Sequence, residues 1–409
     1  MSPQRRSGLG TNQEAVRRHN LGTVLRHVHS AGQISRAQLT SLMGLNRSTI
    51  AGLVSELESL GISEHATPAG GARQGAGRPS AEVRIAAEGP YVVAVDLGVD
   101  RAVVARVGLG GRVLQRAQAP VHSHGEAWQV GASVAALIRA VVKGAPAAAP
   151  LIGIGISVPG LVRRSDGLVR LAPNLEWHDV SFGGIVLAAL GVDIPVLIAN
   201  DADLGALAEH TRGAGVGTDD LIYISGNVGV GAGVIAGGHR LEGAGGYAGE
   251  IGHLAFRPDG KPCHCGNRGC WETEIGGHAI AAAIHCPPDK VSQLDEILDG
   301  FDKPSPELRA TGTALGQGLA SIVNVFNPRM VVLGGYLSSL YRLVGAEVNA
   351  GLAARALPAP LESVTLSLPG LGSDSPLLGA AEIALEPLFV DPVAALGTSL
   401  QDVRGHLTV

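Results

Sequence analysis

The stretch Gly249–Glu274, GEIGHLAFRPDGKPCHCGNRGCWETE, carries the densest group of metal-binding side chains in the chain. It holds three of the four cysteines and, ten residues before the first of them, a histidine. Thiolate and imidazole are the ligands of closed tetrahedral zinc sites. The pattern therefore predicts a Cys3His metal site with the ligands His253, Cys263, Cys265 and Cys270.

The spacing of the cysteines leaves other interpretations open. Cys263 and Cys265 are separated by one residue, whereas paired zinc-finger cysteines usually have about two to four residues between them. Ordinary buried or free thiols are one alternative, and a disulfide within the C-x-C pair is another, although nothing else in the chain indicates an oxidising compartment. We interpret the fourth cysteine, Cys286, as structural, because no partner stands at ligand spacing.

Composition bounds the class of protein. The 409 residues are 45 % hydrophobic but only 3 % aromatic, and 59 of them are glycine. This length allows two or three domains, with cores of Ala, Val, Leu and Ile. No run of about 18 apolar residues occurs, and no apolar stretch follows the basic N-terminus. We therefore expect a soluble cytoplasmic protein with no membrane partner.

Charge is distributed unevenly along the chain. Residues 1–88 contain ten arginines and six glutamates with no lysine or aspartate, a net charge of +4. Since the whole chain carries -5, the remainder carries -9. A basic N-terminal segment on an acidic body favours a nucleic-acid-binding module joined to a part that binds another ligand.

The N-terminal segment has the order of a helix-turn-helix. Apolar residues recur at helical spacing over Glu14–Ser30, so one helix with a buried face is expected there. Ser35 can cap a short second helix, Arg36–Met43, and Gly44 supplies a turn. Asn46 can cap a third helix that ends near residue 61. Helix, glycine turn and helix in this order are typical of DNA-binding proteins.

The third helix exposes hydrogen-bonding side chains at its N-terminal end, and these suit base edges and phosphates. After it, residues 62–85 resemble a two-stranded wing, whose tip Gly77-Arg78-Pro79 could enter a minor groove. A plain three-helix scaffold with a solvated arginine face is the alternative. The predicted DNA contacts are Ser35, Arg36, Asn46, Arg47, Ser48, Thr49 and Arg78.

Beyond residue 89 a strand pattern occurs twice. Each copy has three short apolar strands separated by glycine turns, at 91–97, 102–109 and 112–119, and again at 221–225, 229–235 and 239–242. Helices and further strands follow each copy, including a single predicted helix over 273–285. Such a duplication implies an α/β protein with two similar lobes and a ligand cleft between them.

These features together resemble the ROK family, which groups sugar-responsive repressors with sugar kinases. The resemblance rests on GEIGH, on C-x-C-G-x-x-G-C-x-E, on the duplicated strands and on the preceding winged helix, and it extends from about Leu21 to Leu388. It implies a two-lobed actin-like, ribonuclease-H-like fold with a structural Zn2+ at the Cys3His set. The predicted units are a winged helix-turn-helix domain at 1–88, a first lobe at 89–199, a second lobe at 200–390 whose last helix can return to the first lobe, and a tail at 391–409.

The resemblance also implies a sugar site between the lobes. The residues that match sugar-holding positions of the family are Asn174, Asp201, Glu250, His253 and Glu272. Carboxylates and amides suit a polyol, and a zinc-bound histidine keeps one N–H free to donate. Each position also has a simpler explanation, because Asp201 could cap the next helix, Asn174 could be a turn residue, and the two glutamates could be solvated acids.

The phosphate loops argue against ATP. Kinases of the resembled family carry D-x-G-G-T at the first turn, where this chain has Asp96-Leu97-Gly98-Val99-Asp100. A β-branched side chain replaces the second glycine and a carboxylate stands where phosphate would bind. At the second turn Val228 replaces the threonine that is usual in kinases. We therefore expect a non-enzyme that binds no ATP.

The resulting hypothesis is a sugar-responsive repressor. A homo-oligomer, dimer or tetramer, would bind double-stranded operator DNA, and a monosaccharide or sugar phosphate between the lobes would modulate that binding. Two alternatives stand beside it: a zinc-containing, ATP-dependent sugar kinase with a fused DNA-binding domain, and a scaffold regulated by another protein.

Overall fold

The structure is a computed structural model that describes residues 13–66, 81–121, 126–146 and 148–397. Its first part, here called the head, contains three helices and a three-stranded antiparallel sheet in which β3 lies between β1 and β2. The head comprises α1 (Gln13–Ala31), β1 (Gln33–Ser35), α2 (Arg36–Met43), α3 (Arg47–Ser59), β2 (Ser63–Ala66) and β3 (Glu82–Ile85). The three predicted helices are confirmed, whereas β1 is a strand that the apolar pattern did not indicate, since it is only three residues long.

Local capping determines where α2 and α3 begin. The Ser35 hydroxyl accepts a hydrogen bond from the Gln38 amide, and the Gln38 side chain accepts one from the Ser35 amide, which closes a capping box. Gly44 ends α2 in the left-handed conformation, at φ 64°. Asn46 then accepts from the Thr49 amide and starts α3.

The first lobe is built on a five-stranded sheet of order β11-β7-β4-β5-β6. The strands β4, β5 and β6 form the predicted meander, and β7 and β11 extend it in parallel. Strands β8 to β10 form a small separate sheet. The elements are β4 (Tyr91–Leu97), β5 (Arg101–Gly108), β6 (Arg112–Pro120), α4 (Ala127–Lys143), β7 (Leu151–Val158), β8 (Leu161–Val162), β9 (Val169–Ala172), β10 (Trp177–Val180), α5 (Phe182–Leu190) and β11 (Val196–Asn200).

The second lobe repeats this plan with the order β14-β13-β12-β15-β16. Its strands and helices, with the two final helices of the described chain, are α6 (Asp201–Arg212), β12 (Leu221–Gly226), β13 (Val230–Ala236), β14 (His239–Arg240), α7 (Glu272–Ile275), α8 (Gly277–Ala283), α9 (Leu294–Asp299), α10 (Pro306–Phe326), β15 (Met330–Gly335), α11 (Tyr336–Ala353), α12 (Pro358–Ser363), β16 (Thr365–Ser367), α13 (Ser375–Val390) and α14 (Pro392–Gly397).

The two sheets have the same pairing. In each, the first strand of the meander pairs antiparallel with the second and parallel with a strand that follows later in the chain. The central strands β4, β7 and β12 are almost wholly apolar because helices cover both of their faces. The internal duplication predicted from the glycine-punctuated strands is thus present in the topology.

Two helices form the layer between the sheets. Helix α6 packs on β12 and β13 of the second lobe, whereas α13 packs on β7 and β4 of the first, and the two helices pack against each other. The last long helix therefore returns to the first lobe. Helix α1 of the head also contacts α13, and its apolar face shares one continuous core with that helix. In the described ranges, no helix is both long enough and apolar enough to cross a membrane.

One predicted element is wrong in its extent. The single helix expected over 273–285 is divided into α7 and α8 at Gly276, which is extended at φ -68° and ψ 166°. The break lets the Gly277 amide donate to the carbonyl of Val228. A tertiary contact with the turn after β12 thus overrides the local helical preference.

Candidate functional site

The four predicted metal ligands converge on one point. Their ligand atoms all lie within 4.8 Å of one another. The Sγ of Cys263 is 3.7 Å from Nδ1 of His253, and the Sγ atoms of Cys265 and Cys270 are 3.6 Å apart. A tetrahedral site with ordinary Zn–S and Zn–N bonds has edges of about 3.5–3.8 Å. The cluster has the donor types and the spacing of a metal site, and its cysteines are free thiols rather than a disulfide.

The charge balance of the cluster also favours a cation. Burial, followed by hydrogen bonds with the other two thiols, raises the pKa of Cys270 to about 12. Burial also raises the pKa of Cys263, whereas at Cys265 burial is outweighed by hydrogen bonds and the pKa is lowered. The three thiols therefore do not all ionise together when no cation is near. A divalent metal reverses this preference because it stabilises the thiolate form. The residues present fit a bound metal ion.

The backbone of this loop bends at Gly269, where there is no room for a side chain. Gly269 has φ 71°, and a Cβ there would lie 1.5 Å from the carbonyl oxygen of Arg257. The Gly269 carbonyl accepts from the amides of Phe256 and Arg257, and isolated bridges join Ala255 to Cys270 and Pro262 to Arg268. The loop thus folds back on itself, which brings Cys265 and Cys270 together.

His253 connects the cluster to the acids beside it. With Nδ1 directed to the sulfurs, its other nitrogen, Nε2, lies 3.9 Å from Oε2 of Glu250. The Glu250 side chain is 42 % exposed, and its partial burial raises the pKa of its carboxyl. A metal-bound His253 would present an N–H donor toward Glu250 and the solvent next to it.

Glu272 has a structural partner. Its Oε2 accepts a hydrogen bond of 2.8 Å from the amide of Val230, and its Oε1 lies 3.9 Å from Sγ of Cys263. This carboxylate therefore ties the cysteine loop to the first residue of β13. One of its oxygens is engaged by the protein, so the simpler explanation as a solvated acid does not hold.

Asp201 is the first residue of α6, and the cap of that helix is its neighbour Asn200. The Asn200 side chain accepts from the amides of Ala202 and Asp203 and donates to the carbonyl of Gly160. The alternative that Asp201 is itself the cap is thus wrong. Its Oδ2 instead accepts a 3.0 Å hydrogen bond from the side chain of Asn227, and burial raises the pKa of the Asp201 carboxyl.

Asn174 lies in a short 3-10 turn, Pro173–Leu175, directly after β9. The end of β9 packs on the Gly160 loop, because a Cβ at Gly160 would lie 2.9 Å from Cα of Ala172. Since Asn200 donates to Gly160, the turn that carries Asn174 and the start of α6 share this loop as a common support.

A cleft opens between the lobes next to Asp201. It is lined from the first lobe by the turn Asp96-Leu97-Gly98-Val99-Asp100 and from the second by the turn around Asn227 and Val228. Asp96 accepts a hydrogen bond from the Ser157 hydroxyl, and burial raises its pKa to about 6. Acids thus stand on both sides of the cleft and outnumber Arg101, which also lines it, and this disfavours an anionic group there.

In the head, three of the seven predicted DNA contacts have roles in the fold as well. Ser35 and Asn46 use their side chains as helix caps. The Arg36 guanidinium lies 3.2 Å from the His65 ring and 3.6 Å from the Glu58 carboxylate, so it joins α2, α3 and β2. These contacts hold the helices in place and leave less of each side chain for a ligand.

Three predicted contacts stand at the start of α3. Arg47 and Ser48 are exposed and Thr49 is half-buried, while the opposite face of the helix is buried through Ile50 and Leu53. Arg78 lies outside the described residues, as does the tip of the predicted wing between β2 and β3.

Two side-chain contacts have no local signal in the sequence. Asn227 belongs to a glycine-rich turn whose pattern gives it no separate role, yet its side chain holds Asp201. The ion cluster of His29, Arg212 and Glu382 joins residues up to 353 positions apart. No local pattern predicts either, because both depend on elements that meet only after folding.

Comparison with known proteins places this architecture in a family. A profile for the ROK family matches residues 92–386. The chain is similar to the xylose repressor of Bacillus spizizenii, with 29 % identity over 385 residues that cover 93 % of this chain and 98 % of the relative. It is also similar to the glucokinase of Halalkalibacterium halodurans, with 29 % identity over 309 residues that cover 71 % of this chain and 93 % of the relative.

The solved structures that resemble this chain likewise include a transcriptional regulator and a sugar kinase. A ROK family transcriptional regulator, a homologue of the E. coli MLC protein, matches with a TM-score of 0.72 and 25 % identity over 96 % of this chain and 99 % of that one. A ROK family glucokinase from Streptomyces griseus, in complex with glucose and AMPPNP, matches with a TM-score of 0.61 and 25 % identity over 72 % of this chain and 99 % of that one. Because the family profile matches well over half of its length, the chain belongs to the ROK family.

Proposed function

We propose that this ROK protein is a sugar-responsive transcriptional repressor. The observation that carries the proposal is the head, which places the exposed Arg47 and Ser48 at the start of a capped helix. The head packs onto α13 of the two-lobed domain. Similarity over 93 % of the chain to a xylose repressor supports it, whereas the glucokinase similarity covers 71 %. In this proposal the head is a winged helix-turn-helix, and its α3 reads a major groove.

The proposed effector is a small carbohydrate bound between the lobes. Its hydroxyls would be held by acceptors and amides in the turn after β9, at the start of α6 and in the cysteine loop, namely Asn174, Asp201, Glu250, His253 and Glu272. Since the similar xylose repressors bear that sugar in their names, aldopentoses are the first compounds to test. Acids on both sides of the cleft favour an uncharged sugar over its phosphate.

The Cys3His cluster is the proposed site of a structural Zn2+. His253 would hold the ion through Nδ1 together with the three sulfurs, and the ion would supply a fixed positive charge that favours the thiolate forms. His253 directs Nε2 toward Glu250, and Glu272 links the loop to β13 through the Val230 amide.

We further propose that the chain binds its sugar without phosphorylating it. Val99 and Asp100 line the cleft where the family's kinases place glycine and threonine against phosphate. Asp201 would then accept a sugar hydroxyl, with its carboxylate oriented by Asn227. The second candidate function, a sugar kinase with a fused head, is favoured by one observation: Asp201, which stands where family kinases have their base, is retained.

In the proposed mechanism a homo-oligomer places two heads on a two-fold symmetric operator. Sugar binding changes the closure of the lobes, and so changes the separation of the heads. A ligand shifts such an equilibrium only by its difference in affinity between the two states, so the sugar must contact both lobes.

Operator selection followed by titration tests the function. DNA enriched from a random double-stranded library by the purified protein is titrated by fluorescence anisotropy, with and without each of a panel of monosaccharides and sugar phosphates. We expect one neutral sugar to change the operator Kd by at least about fivefold. A panel without effect would refute sugar regulation. ATP-dependent phosphorylation of a sugar, abolished by Asp201→Asn, would favour the kinase instead.

A further inference from the structure

Arg212, the last residue of α6, lies where three parts of the molecule meet. Helix α6 packs on the second-lobe sheet, α13 packs on the first-lobe sheet, and α1 belongs to the head. The Arg212 Nε donates to Oε1 of Glu382 on α13. The guanidinium also contacts the ring of His29 on α1 and lies 3.3 Å from the His29 carbonyl oxygen. One side chain of the second lobe thus touches both the first lobe and the head.

The contact of Arg212 with Glu382 and His29 is buried. The side chains of Arg212, Glu382 and His29 are 11 %, 9 % and 2 % exposed. Burial would raise the pKa of the Glu382 carboxyl, but His29 and Arg212 together hold that pKa well below its ordinary range. Burial lowers the pKa of His29. A buried carboxylate that loses its cationic partner is strongly destabilised, so separation of Arg212 from Glu382 is unfavourable.

His29 is also fixed from the first lobe. Its Nδ1 accepts a 3.0 Å hydrogen bond from the amide of Gly110, in the turn between β5 and β6. Its Nε2 lies 3.1 Å from Oε2 of Glu382, and its ring meets Phe389 edge-on. Three residues after His29, Gly32 leads the chain into β1 and then into α2. The position of the His29 ring therefore bears on the helices that follow it.

The other end of α6 is at the proposed sugar site. Asn200 caps the helix and Asp201 is its first residue, held by Asn227. The helix has 12 residues, so it spans about 18 Å at the ordinary rise per residue. A displacement of its first turn is carried to Arg212 as a rigid-body movement, since a short, well-packed helix does not absorb it.

The layer between the lobes has close backbone contacts that favour sliding of whole helices. A Cβ at Gly379 of α13 would lie 2.0 Å from the carbonyl oxygen of Leu204 on α6. A Cβ at Gly22 of α1 would lie 2.0 Å from the carbonyl oxygen of Phe389 on α13. At these crossings the helices have no room to approach further, so relative movement is confined to the plane of contact.

Among the described residues, the other ion pairs that α1 makes with the two lobes involve α13 and the residue directly after it. Arg26 pairs with Glu386 at 2.9 Å, and Arg18 pairs with Asp391 at 3.1 Å. Both arginines are about half exposed. These two pairs attach the head to the first lobe, whereas Arg212 attaches it to the second lobe.

We propose that Arg212 is the positioning residue through which movement of the second lobe is transmitted to the DNA-binding head. The inference rests on the proposed sugar-responsive function and adds to it the side chain that links effector to operator. When the lobes change their closure, α6 moves over α13, and Arg212 must carry His29 with it or reorganise the Glu382 contact. The orientation of the head is then linked to the state of the cleft.

The test compares Arg212→Ala with Arg26→Ala, a matched control that removes an arginine–glutamate pair from the same surface of α1. The coupling is the ratio of the operator Kd with saturating sugar to that without it. We expect Arg212→Ala to bring this ratio at least about fivefold closer to one, with the sugar Kd from calorimetry changed by less than about threefold. Arg26→Ala should keep the wild-type ratio. An unchanged ratio in Arg212→Ala, or an equal loss in both variants, overturns the proposal.

Two further measurements keep the test decisive. Arg212→Lys serves as the test if the alanine variant fails to fold. The lysine retains a positive charge for Glu382 but cannot span both Glu382 and His29, so this variant should also lose coupling. Hydrogen exchange measured without sugar tests the contact of Arg212 with Glu382 and His29 independently of the effector. The last turn of α1 should exchange at least about threefold faster in the Arg212 variants than in Arg26→Ala. If the wild type shows no sugar response, the proposed function fails. Unaltered exchange in the Arg212 variants refutes the claim that Arg212 links the second lobe to the head.

Discussion

Nε2 of His253 lies 3.9 Å from Oε2 of Glu250, while Nδ1 of the same ring faces the Cys263 sulfur at 3.7 Å. One imidazole thus joins the thiol cluster to the acid beside the cleft. A metal at the cluster would set the position of the ring, and the ring would in turn set a donor next to a carboxylate acceptor. The pair suits the recognition of neighbouring hydroxyls, which need both kinds of partner.

Glu250→Gln should weaken sugar binding by about tenfold, because hydrogen bonds to a charged group are worth about 1.5–3 kcal/mol and the amide keeps the shape of the side chain. The operator Kd without sugar should stay at the wild-type value. Calorimetry and anisotropy measure the two quantities. Glu274→Gln, in the same segment, is the matched control. Wild-type sugar affinity in Glu250→Gln would place the sugar elsewhere.

Cys263→Ser should lose the bound metal and lower the thermal unfolding midpoint by several degrees, since the free energy of metal binding to such a site contributes to folding. Metal content by inductively coupled plasma mass spectrometry and the midpoint by calorimetry are the measurements. Cys286→Ser should retain both, because that cysteine lies outside the cluster. Full metal content in Cys263→Ser would refute the ligand assignment.

Arg47→Ala should weaken operator binding by about tenfold, since a lost base or phosphate contact from an arginine costs about 1–3 kcal/mol. Arg309→Ala is a suitable control because that arginine pairs with Glu347 on the body, far along the chain from the head. Anisotropy at several salt concentrations separates the two kinds of contact. A reduced salt dependence would assign Arg47 to phosphate, and an unchanged operator Kd would remove it from the interface.

Arg78→Ala should weaken binding mainly to operators with A·T-rich flanks, where a narrow minor groove attracts arginine. Binding to operators with G·C-rich flanks should change much less. A gel-shift series in which only the flanks differ measures this effect. Equal losses on both kinds of flank would indicate a simple phosphate contact, and no loss on either would exclude Arg78 from the DNA surface.

The stability of the protein should depend on pH through Asp96. Burial raises the pKa of this carboxyl from 3.8 to about 6, so the folded protein holds its proton more tightly than the unfolded chain does. Compared with a variant that has a neutral residue at position 96, the protein therefore loses stability as the pH rises from about 4 to about 6. Above that range no further stability is lost. Asp96→Asn should raise the unfolding midpoint at pH 8 but not below pH 4, as followed by calorimetry.

Asp166→Asn provides a control of opposite sign. Its carboxylate is exposed, and a hydrogen bond from Arg163 lowers its pKa to about 2. Because the folded state favours its ionised form, the asparagine variant should gain no stability at pH 8. Equal effects of both substitutions across the pH range would contradict the burial argument for Asp96.

Much of the fold could be predicted because its signals are local. Ser35 and Asn46 cap helices through residues three positions away, and Gly44 ends a helix by its own conformation. The repeated strands follow from alternating glycine turns and apolar runs. Even the Cys3His set lies within 18 residues of chain, so the spacing of its ligands is itself a local signal.

The remaining features depend on distant residues. The break at Gly276 exists because Gly277 donates to Val228, and Asp201 is oriented by Asn227 rather than by its own helix. His29 meets Glu382 across 353 positions. Helix propensity, capping and apolar periodicity act between near neighbours, so the sequence by itself determined most of the helices and strands, the duplication of the strand pattern and the candidate metal ligands. Only the packing of α6 and α13 between the lobes decided which polar side chains are buried together, because burial and ion pairing depend on the completed tertiary structure.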